Sequence, residues 1–580
     1  MSAQTGVAPA SGPTSRRAVD RARFRFSRLR TEPNPVWIRE LKQAARLGRT
    51  PILLAGLTIL FTLLVSAIGG IASTQYNPAT TGVILFQVFF SCAWFVVTLI
   101  GPAVAANTIA SEREGHTWEA VILTGLPPGR VARGKFLAAF TAIGAYIVAL
   151  VPVGALPFLF GGVTATEVVV AFALLFLIAS LSVAFGLAVS SKVDRLRTAI
   201  VVTLLLSFPA SAFGFLAFGV GLGGAAHKLW SGVLEWGPIW LPTAYDRADF
   251  DALYVLVLVV LPVVCVTLPA WFLYEVTIAN LTSVTDDRSS GLKRWFVVAA
   301  PVLALTCAVP VASASSDVTL WAASAGSFVF VFLTFAVFLF LGDPIGPSRR
   351  VVAHWDRTRR TRLSRFFGPS ITHAAEMLFV ATIVCLGLVV AGGAIAAHRT
   401  ASAYSAPDLG EIEVFAFYSV CFLMFLIGFG AFVRARTGDA TKARAIVALV
   451  LFSAAAGPWI VAAICGIVAE HTSPLLLSVA APSPLFAFQM MSALRKTEDA
   501  PLFAGGACAI TWAGLGALSY LAARRHARAV VRQHESMLAE TDRILAAEDE
   551  AAAARANEAE AAPAPDDAPA TDDGSPAEAT

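Results

Sequence analysis

Apolar runs of about twenty residues, separated by short polar stretches, recur along the chain from Pro51 to residue 522. A run of about 20 residues crosses a hydrocarbon layer of about 30 Å as an α-helix. The runs lack the regular polar positions that a helix with one hydrated face would carry. The pattern predicts twelve spans, near 51–72, 82–106, 136–160, 167–190, 198–222, 251–277, 295–313, 319–342, 374–397, 413–433, 446–469 and 501–522. The expected fold is all-α and polytopic, with no soluble domain large enough to do chemistry alone. Pro152, Pro157, Pro209, Pro262 and Pro269 fall inside predicted spans, where neighbouring helices can satisfy the freed carbonyls.

Composition strengthens this reading. Hydrophobic residues make up 57% of 580 and charged residues 14%, against roughly 25% charged in soluble domains, and mean hydropathy is +0.71. Charge position matters more than net charge, which is +4. All but five of the 43 Lys and Arg residues lie in the two ends and in alternate inter-span segments; the five are Lys228, Arg247, Arg399, Arg495 and Lys496. That imbalance predicts both termini in the cytoplasm and a multi-pass protein of the cell inner membrane. Residues 1–33 read as a basic, disordered cytoplasmic arm, too long for the n-region of a cleavable signal. Ser15-Arg16-Arg17 has no apolar stretch close behind it, as a twin-arginine signal would. Residues 523–557 are expected to continue the last span as a mixed-charge helix, and 558–580 to form a disordered acidic Ala/Pro tail. The seven cysteines all fall within apolar spans, without CxxC pairs or a nearby His, so no disulfide framework or metal site is expected.

Ionisable residues are missing from the predicted span centres. Glu167, Asp251, Glu275, Glu376 and Glu413 all lie near span ends. Ion-coupled carriers bind the coupling ion near the midplane, and channels show polar rings or a filter segment. An embedded enzyme would need clustered His, Asp or Glu near one interface. None of these patterns is visible, so an external energy source is expected. The alternative is a secondary carrier of the major-facilitator type, which also has twelve spans with both ends inside, or a non-transport polytopic protein. Asp287-Arg288 echoes that carrier family's loop signature, but follows span six rather than span two.

Two polar segments carry the functional reading. In residues 34–50, Trp37, Leu41, Ala44 and Ala45 recur at helical spacing, with Arg39, Lys42, Arg46 and Arg49 on other faces. This predicts an amphipathic helix lying in the headgroup layer. Between spans two and three lies a segment of about 29 residues, 107–135. Its Ser111 and Glu114 have capping-box spacing, Trp118, Val121 and Ile122 supply an apolar side, and Gly125 and Pro127-Pro128 supply a stop. A capped helix beginning near Ser111 is expected there. Gly129 to Phe136 nearly spells the phosphate-binding GxxxxGK[ST], but no strand precedes it and Phe136 replaces the hydroxyl, so nucleotide binding by this chain is not expected. The loop 349–365 holds Arg349, Arg350, Arg357, Arg359, Arg360, Arg362 and Arg365; it is either topological charge or a site for anionic headgroups at about 1 kcal/mol per residue.

The motifs NPVxxREL, from Asn34 to Leu41, and SERExxTxExxxLTxLPPxxxxxGK, from Ser111 to Lys135, resemble the permease subunits of type-2 ABC transporters, in order and in place relative to the spans. Gly161-Gly162-Val163 and the stretch Asp287–Leu292 fit the same resemblance. It implies that 34–50 is an interfacial connecting helix, with Asn34, Pro35, Trp37, Arg39, Glu40 and Leu41 as its marked positions. It implies a coupling element at 108–135, docked in a groove of a separate ATP-binding subunit. Glu112, Arg113, Glu114 and Thr117 are the expected contacts, with Leu123, Thr124 and Lys135 shaping the element. Residues 51–277 would be a six-span permease domain, transporting outward, with no cofactor in this chain and ATP and Mg in the partner. The implied partners are the ATP-binding subunit and the lipid bilayer, with no nucleic acid. The second six-span block, 278–522, departs from the pattern. If spans nine and ten repeated spans one and two, a second coupling loop would fall at 434–445, which is too short for one. The block is either a degenerate repeat or an accessory, in which case two chains would pair as a dimer.

Overall fold

The computed structural model describes residues 33–46, 49–230, 237–251, 254–314, 317–359, 361–400, 409–469 and 473–561. The expected arm, up to residue 32, and the tail from 562 lie outside the described residues. Among the described residues the fold is all-α, 87% helical with no strands. Among those residues, twelve helices are long and apolar enough to cross a membrane, and in chain order they are spans 1 to 12: Leu54–Gln75, Pro78–Glu114, Pro128–Phe160, Ala165–Ser190, Leu196–Gly224, Val255–Leu281, Ser290–Ser313, Val318–Phe340, Ile371–Arg399, Leu409–Thr437, Ala440–Ala469 and Asp499–Arg555. Each contains or overlaps one predicted run. Span 12 continues as one helix to Ala561, so the expected extension is the same helix carried on. The chain is a multi-pass membrane protein.

Local chemistry sets the span ends. Span 2 starts with Pro78 at its first position, and the Asn77 side chain accepts from Thr80 N at 2.8 Å, filling an amide that the first turn leaves open. Span 4 starts with a capping box between Thr164 and Glu167. Span 3 breaks after Gly154 and resumes at Leu156–Phe160. The turn into span 4 needs Gly161 and Gly162, whose φ angles are +83° and +77°. A Cβ at Gly162 would sit 2.2 Å from the Ala79 carbonyl oxygen.

The bundle has a near face, which carries the helix Pro35–Arg46 and the loops 115–127, 191–195, 282–289, 341–370 and 438–439, and an opposite, far face. Spans 1 to 6 share one apolar core around Phe86, Phe89, Phe90, Ile147, Leu175 and Trp240. Spans 7 to 12 enclose a second around Phe296, Leu333, Phe340, Leu386 and Leu426, with a neighbouring cluster around Tyr418, Phe422 and Phe486. The blocks meet at span 6, where Trp295 Nε1 donates to the Leu268 carbonyl at 2.9 Å and the rings of Phe272 and Trp295 lie 4.7 Å apart.

Spans 5 and 6 each contain a π turn, Leu216–Gly221 and Val255–Val260. Such turns leave carbonyls out of the regular ladder. The far-face helix Trp240–Arg247 supplies donors to them: Trp240 Nε1 to Phe218 O at 2.6 Å and Tyr245 OH to Leu258 O at 2.7 Å. Polar tips of aromatic side chains thus satisfy backbone groups that lipid could not.

One expectation needs correction. The helix expected to begin at Ser111 does not begin there. Span 2 runs unbroken through Ser111 to Glu114, and the Ser111 hydroxyl donates to the Asn107 carbonyl at 2.5 Å instead of capping an amide. Extending an existing helix adds a hydrogen bond for each residue fixed, whereas a new nucleus is costly. The separate helix is only Trp118–Leu123, and the true loop is 115–127 rather than 107–135. The helix Pro35–Arg46 falls within the expected amphipathic segment 34–50 and packs on span 3. Val36 is the buried residue on its packed face, and Trp37 and Leu41 are half-buried. The side chains of Ala44 and Ala45 lie outside the described residues.

A candidate coupling site on the near face

Three near-face elements converge at Lys135: the helix Pro35–Arg46, the end of span 2 and the start of span 3. Span 3 begins at Pro128, so Gly129 to Lys135 are its first turns and not a phosphate-binding loop. Lys135 is fully buried. Its Nζ donates to the Thr108 carbonyl at 2.7 Å and to Glu40 Oε1 at 3.2 Å. It also lies 2.8 Å from Glu112 Oε2, a charge contact made off the hydrogen-bonding direction. Arg39 closes the set, donating to Glu40 at 3.0 Å and to Glu112. Burial disfavours the Arg39 charge, but its hydrogen bond to Glu40 and the Glu112 carboxylate outweigh that and raise the guanidinium above its ordinary value.

The cluster therefore holds two cations against two carboxylates. Breaking such a buried pair from one side costs about 3–5 kcal/mol, because the remaining charge is left uncompensated. The cluster fixes the helix Pro35–Arg46 to the base of the 115–127 loop.

Backbone contacts reinforce the junction. Asn34 Nδ2 donates to the Arg130 carbonyl at 2.8 Å, and its Oδ1 accepts from Val36 N at 3.0 Å. Trp37 Nε1 donates to Thr141 Oγ1 at 3.3 Å. Gly134 is the contact point beneath Val36, where an added Cβ would meet the Val36 Cβ at 2.6 Å. Pro35 opens the helix, where a missing amide does no harm.

The remaining expected site residues divide into two groups. Arg113 pairs with Asp194 at 2.9 Å and lies 5.7 Å over the Trp118 ring. Glu114 accepts from Leu196 N at 2.8 Å, which caps span 5 and ties the loop base to it. Thr117 folds back onto the Glu112 carbonyl with both its amide, at 2.9 Å, and its hydroxyl, at 3.3 Å. These residues, with Glu112, hold the loop from behind. The outward surface is different: Leu123 is 86% exposed, Thr124 closes the short helix by donating to Val121 O at 2.6 Å, and Gly125 turns the chain at φ +68°.

Sequence reasoning missed Asp194, Leu196, Thr108 and Arg130, which act through backbone groups or from a distant loop. One signal was present: Lys135 directly precedes the apolar run from Phe136, which places its charge where burial begins.

Residues 69–243 match the family described as ABC-2 family transporter protein. The match covers less than a third of the chain. It runs from the end of span 1 to the far-face helix and includes the 115–127 loop, but not Pro35–Arg46 or spans 7 to 12. A search of curated proteins finds no match.

Proposed function

We propose, for a chain whose residues 69–243 form an ABC-2 family transporter domain, that this transport permease is driven by a separate ATP-binding subunit docked on the 115–127 loop. The near face is then cytoplasmic, with both termini there, in the cell inner membrane. The observation that carries this reading is the Lys135–Glu112–Glu40–Arg39 cluster, built on the buried Lys135, behind an exposed Leu123. A partner that moves the loop moves the ends of spans 2 and 3 and the helix Pro35–Arg46 with it, because the four charges cannot be separated cheaply. ATP and Mg belong to the partner. Export is the direction that the family resemblance implies.

The assignment of contacts changes with the geometry. Leu123 and the turn around Gly125 face the partner, while Glu112, Arg113 and Glu114 transmit. Purification of the full chain from its own membranes in mild detergent tests this. An ATP-binding subunit with an intact GxxxxGK[ST] is expected to co-purify, and Leu123→Asp is expected to release it while leaving the chain in the membrane. Retention of the same subunit by Leu123→Asp would refute the docking site.

A further inference from the structure

Spans 7 to 12 follow spans 1 to 6 element by element. Spans 3, 4, 5 and 6 begin at residues 128, 165, 196 and 255, and spans 9, 10, 11 and 12 at 371, 409, 440 and 499, a separation constant to within one residue. In the first block, span 1 packs on 2 and 3, span 2 on 3 and 4, span 3 on 4, and span 4 on 6; in the second, span 7 packs on 8 and 9, span 8 on 9 and 10, span 9 on 10, and span 10 on 12. Span 4 is the most enclosed helix of its block and span 10 of its own. One pairing departs: span 5 packs chiefly on span 2, whereas span 11 packs on span 10.

The side chains repeat as well. In each block a far-face segment before the last span has a 3-10 turn, Gly237–Ile239 or Ser478–Ala480, followed by a helix, Trp240–Arg247 or Phe486–Lys496. Each helix carries in its last turn an arginine that reaches back to the third residue of the central span. Arg247 lies 3.7 Å from Glu167, and Arg495 lies 2.9 Å from Glu411. Both carboxylates are buried. Both far-face segments also bond to the preceding span, through Trp240 to Phe218 O and through Ser483 Oγ to Ala455 O at 2.8 Å. An accessory block would have no reason to reproduce this set of contacts in this order.

We propose that residues 290–525 repeat the fold of 49–281, that one chain supplies both permease halves, and that the helix Arg349–Arg357 is the second block's docking element for the ATP-binding partner. The register sets its place. The counterpart of the loop between spans 2 and 3 is the loop between spans 8 and 9, residues 341–370, and not 434–445. That loop has its own capped helix: Ser348 accepts from Val351 N at 3.3 Å, and Val351 and Trp355 are its buried positions. Its base is held by a buried lysine, as the first loop's is. Lys293 donates to Gly368 O at 2.8 Å and Ser370 O at 3.1 Å and lies 2.7 Å from Asp343. The two loops also form a continuous surface. A cleft of about 390 Å³ is lined by Trp118, Val121 and Arg350, and one of about 720 Å³ by Pro127, Pro128, Val351 and Trp355, with Asp286 on both. A subunit seated on Leu123 therefore reaches the exposed side of the second helix at Ala353. This inference rests on the proposed function, and its occupant is the same ATP-binding partner.

Photocrosslinking in cells that make the full chain tests it, with benzoylphenylalanine in place of Leu123, Ala353 or, as a far-face control, Tyr76. Adducts with an ATP-binding subunit are expected at Leu123 and Ala353 and not at Tyr76. An adduct at Leu123 with none at Ala353, or with only phospholipid at Ala353, overturns the second docking element and leaves the proposed function standing. No ATP-binding adduct at either position overturns the proposed function and this inference with it.

Discussion

Lys135 places a positive charge where no water reaches, so substitutions around it separate charge from volume. Glu112→Ala should lower stability by about 3 kcal/mol, since it leaves Lys135 and Arg39 with one carboxylate. The double variant Lys135→Met with Glu112→Gln should recover much of that loss, because a neutral pair has no uncompensated charge. Thermal unfolding in detergent reads both, and an unchanged midpoint for Glu112→Ala would contradict the cluster. Gly134→Ala puts a methyl group into Val36 and should cost about 1–3 kcal/mol. Faster proteolysis within Pro35–Arg46 would report that helix lifting from span 3, and an unaltered cleavage rate would argue against the packing. The sequence marked these residues one by one, through the two polar segments, but not their meeting in one cluster. Arg39, Glu40, Glu112 and Lys135 are ordinary charges beside span ends, and only the fold brings them together.

Elements were legible where burial alone decides them. Twelve apolar runs became twelve spans, because a helix satisfies every backbone group within its own segment, as lipid requires. Polar stretches were harder to read. Ser111 and Glu114 have the spacing of a helix start, but the same residues also suit a helix that simply continues, and span 2 continues. The π turns of spans 5 and 6 left no sequence mark. Their dependence on donors can be checked: Trp240→Phe removes the partner of the Phe218 carbonyl and should cost about 1–3 kcal/mol, seen as a lower unfolding temperature. Sidedness belongs at this scale too. A cysteine introduced at Leu123 should react with an impermeant maleimide only in inside-out vesicles, and one at Tyr76 only in intact cells. The reverse pattern would place the 115–127 loop outside and remove it from any ATP-binding partner.

At the scale of the whole molecule, the chain combines spans that carry their charges near their ends with near-face loops held rigidly from behind. The Asp, Glu, Lys, Arg and His residues of spans 1 to 11 lie toward the span ends, and the proposed drive enters through the near-face loops. The matched segment and the near-face cluster sit in the same half, and on the proposed repeat the second docking loop falls at 341–370 rather than at 434–445. The most direct measurement is ATP hydrolysis by the full chain purified from its own membranes with whatever it retains. The account predicts steady hydrolysis that Leu123→Asp abolishes while the chain remains folded and inserted. Hydrolysis of equal rate in that variant, or transport by the chain on an ion gradient with no nucleotide, would contradict it.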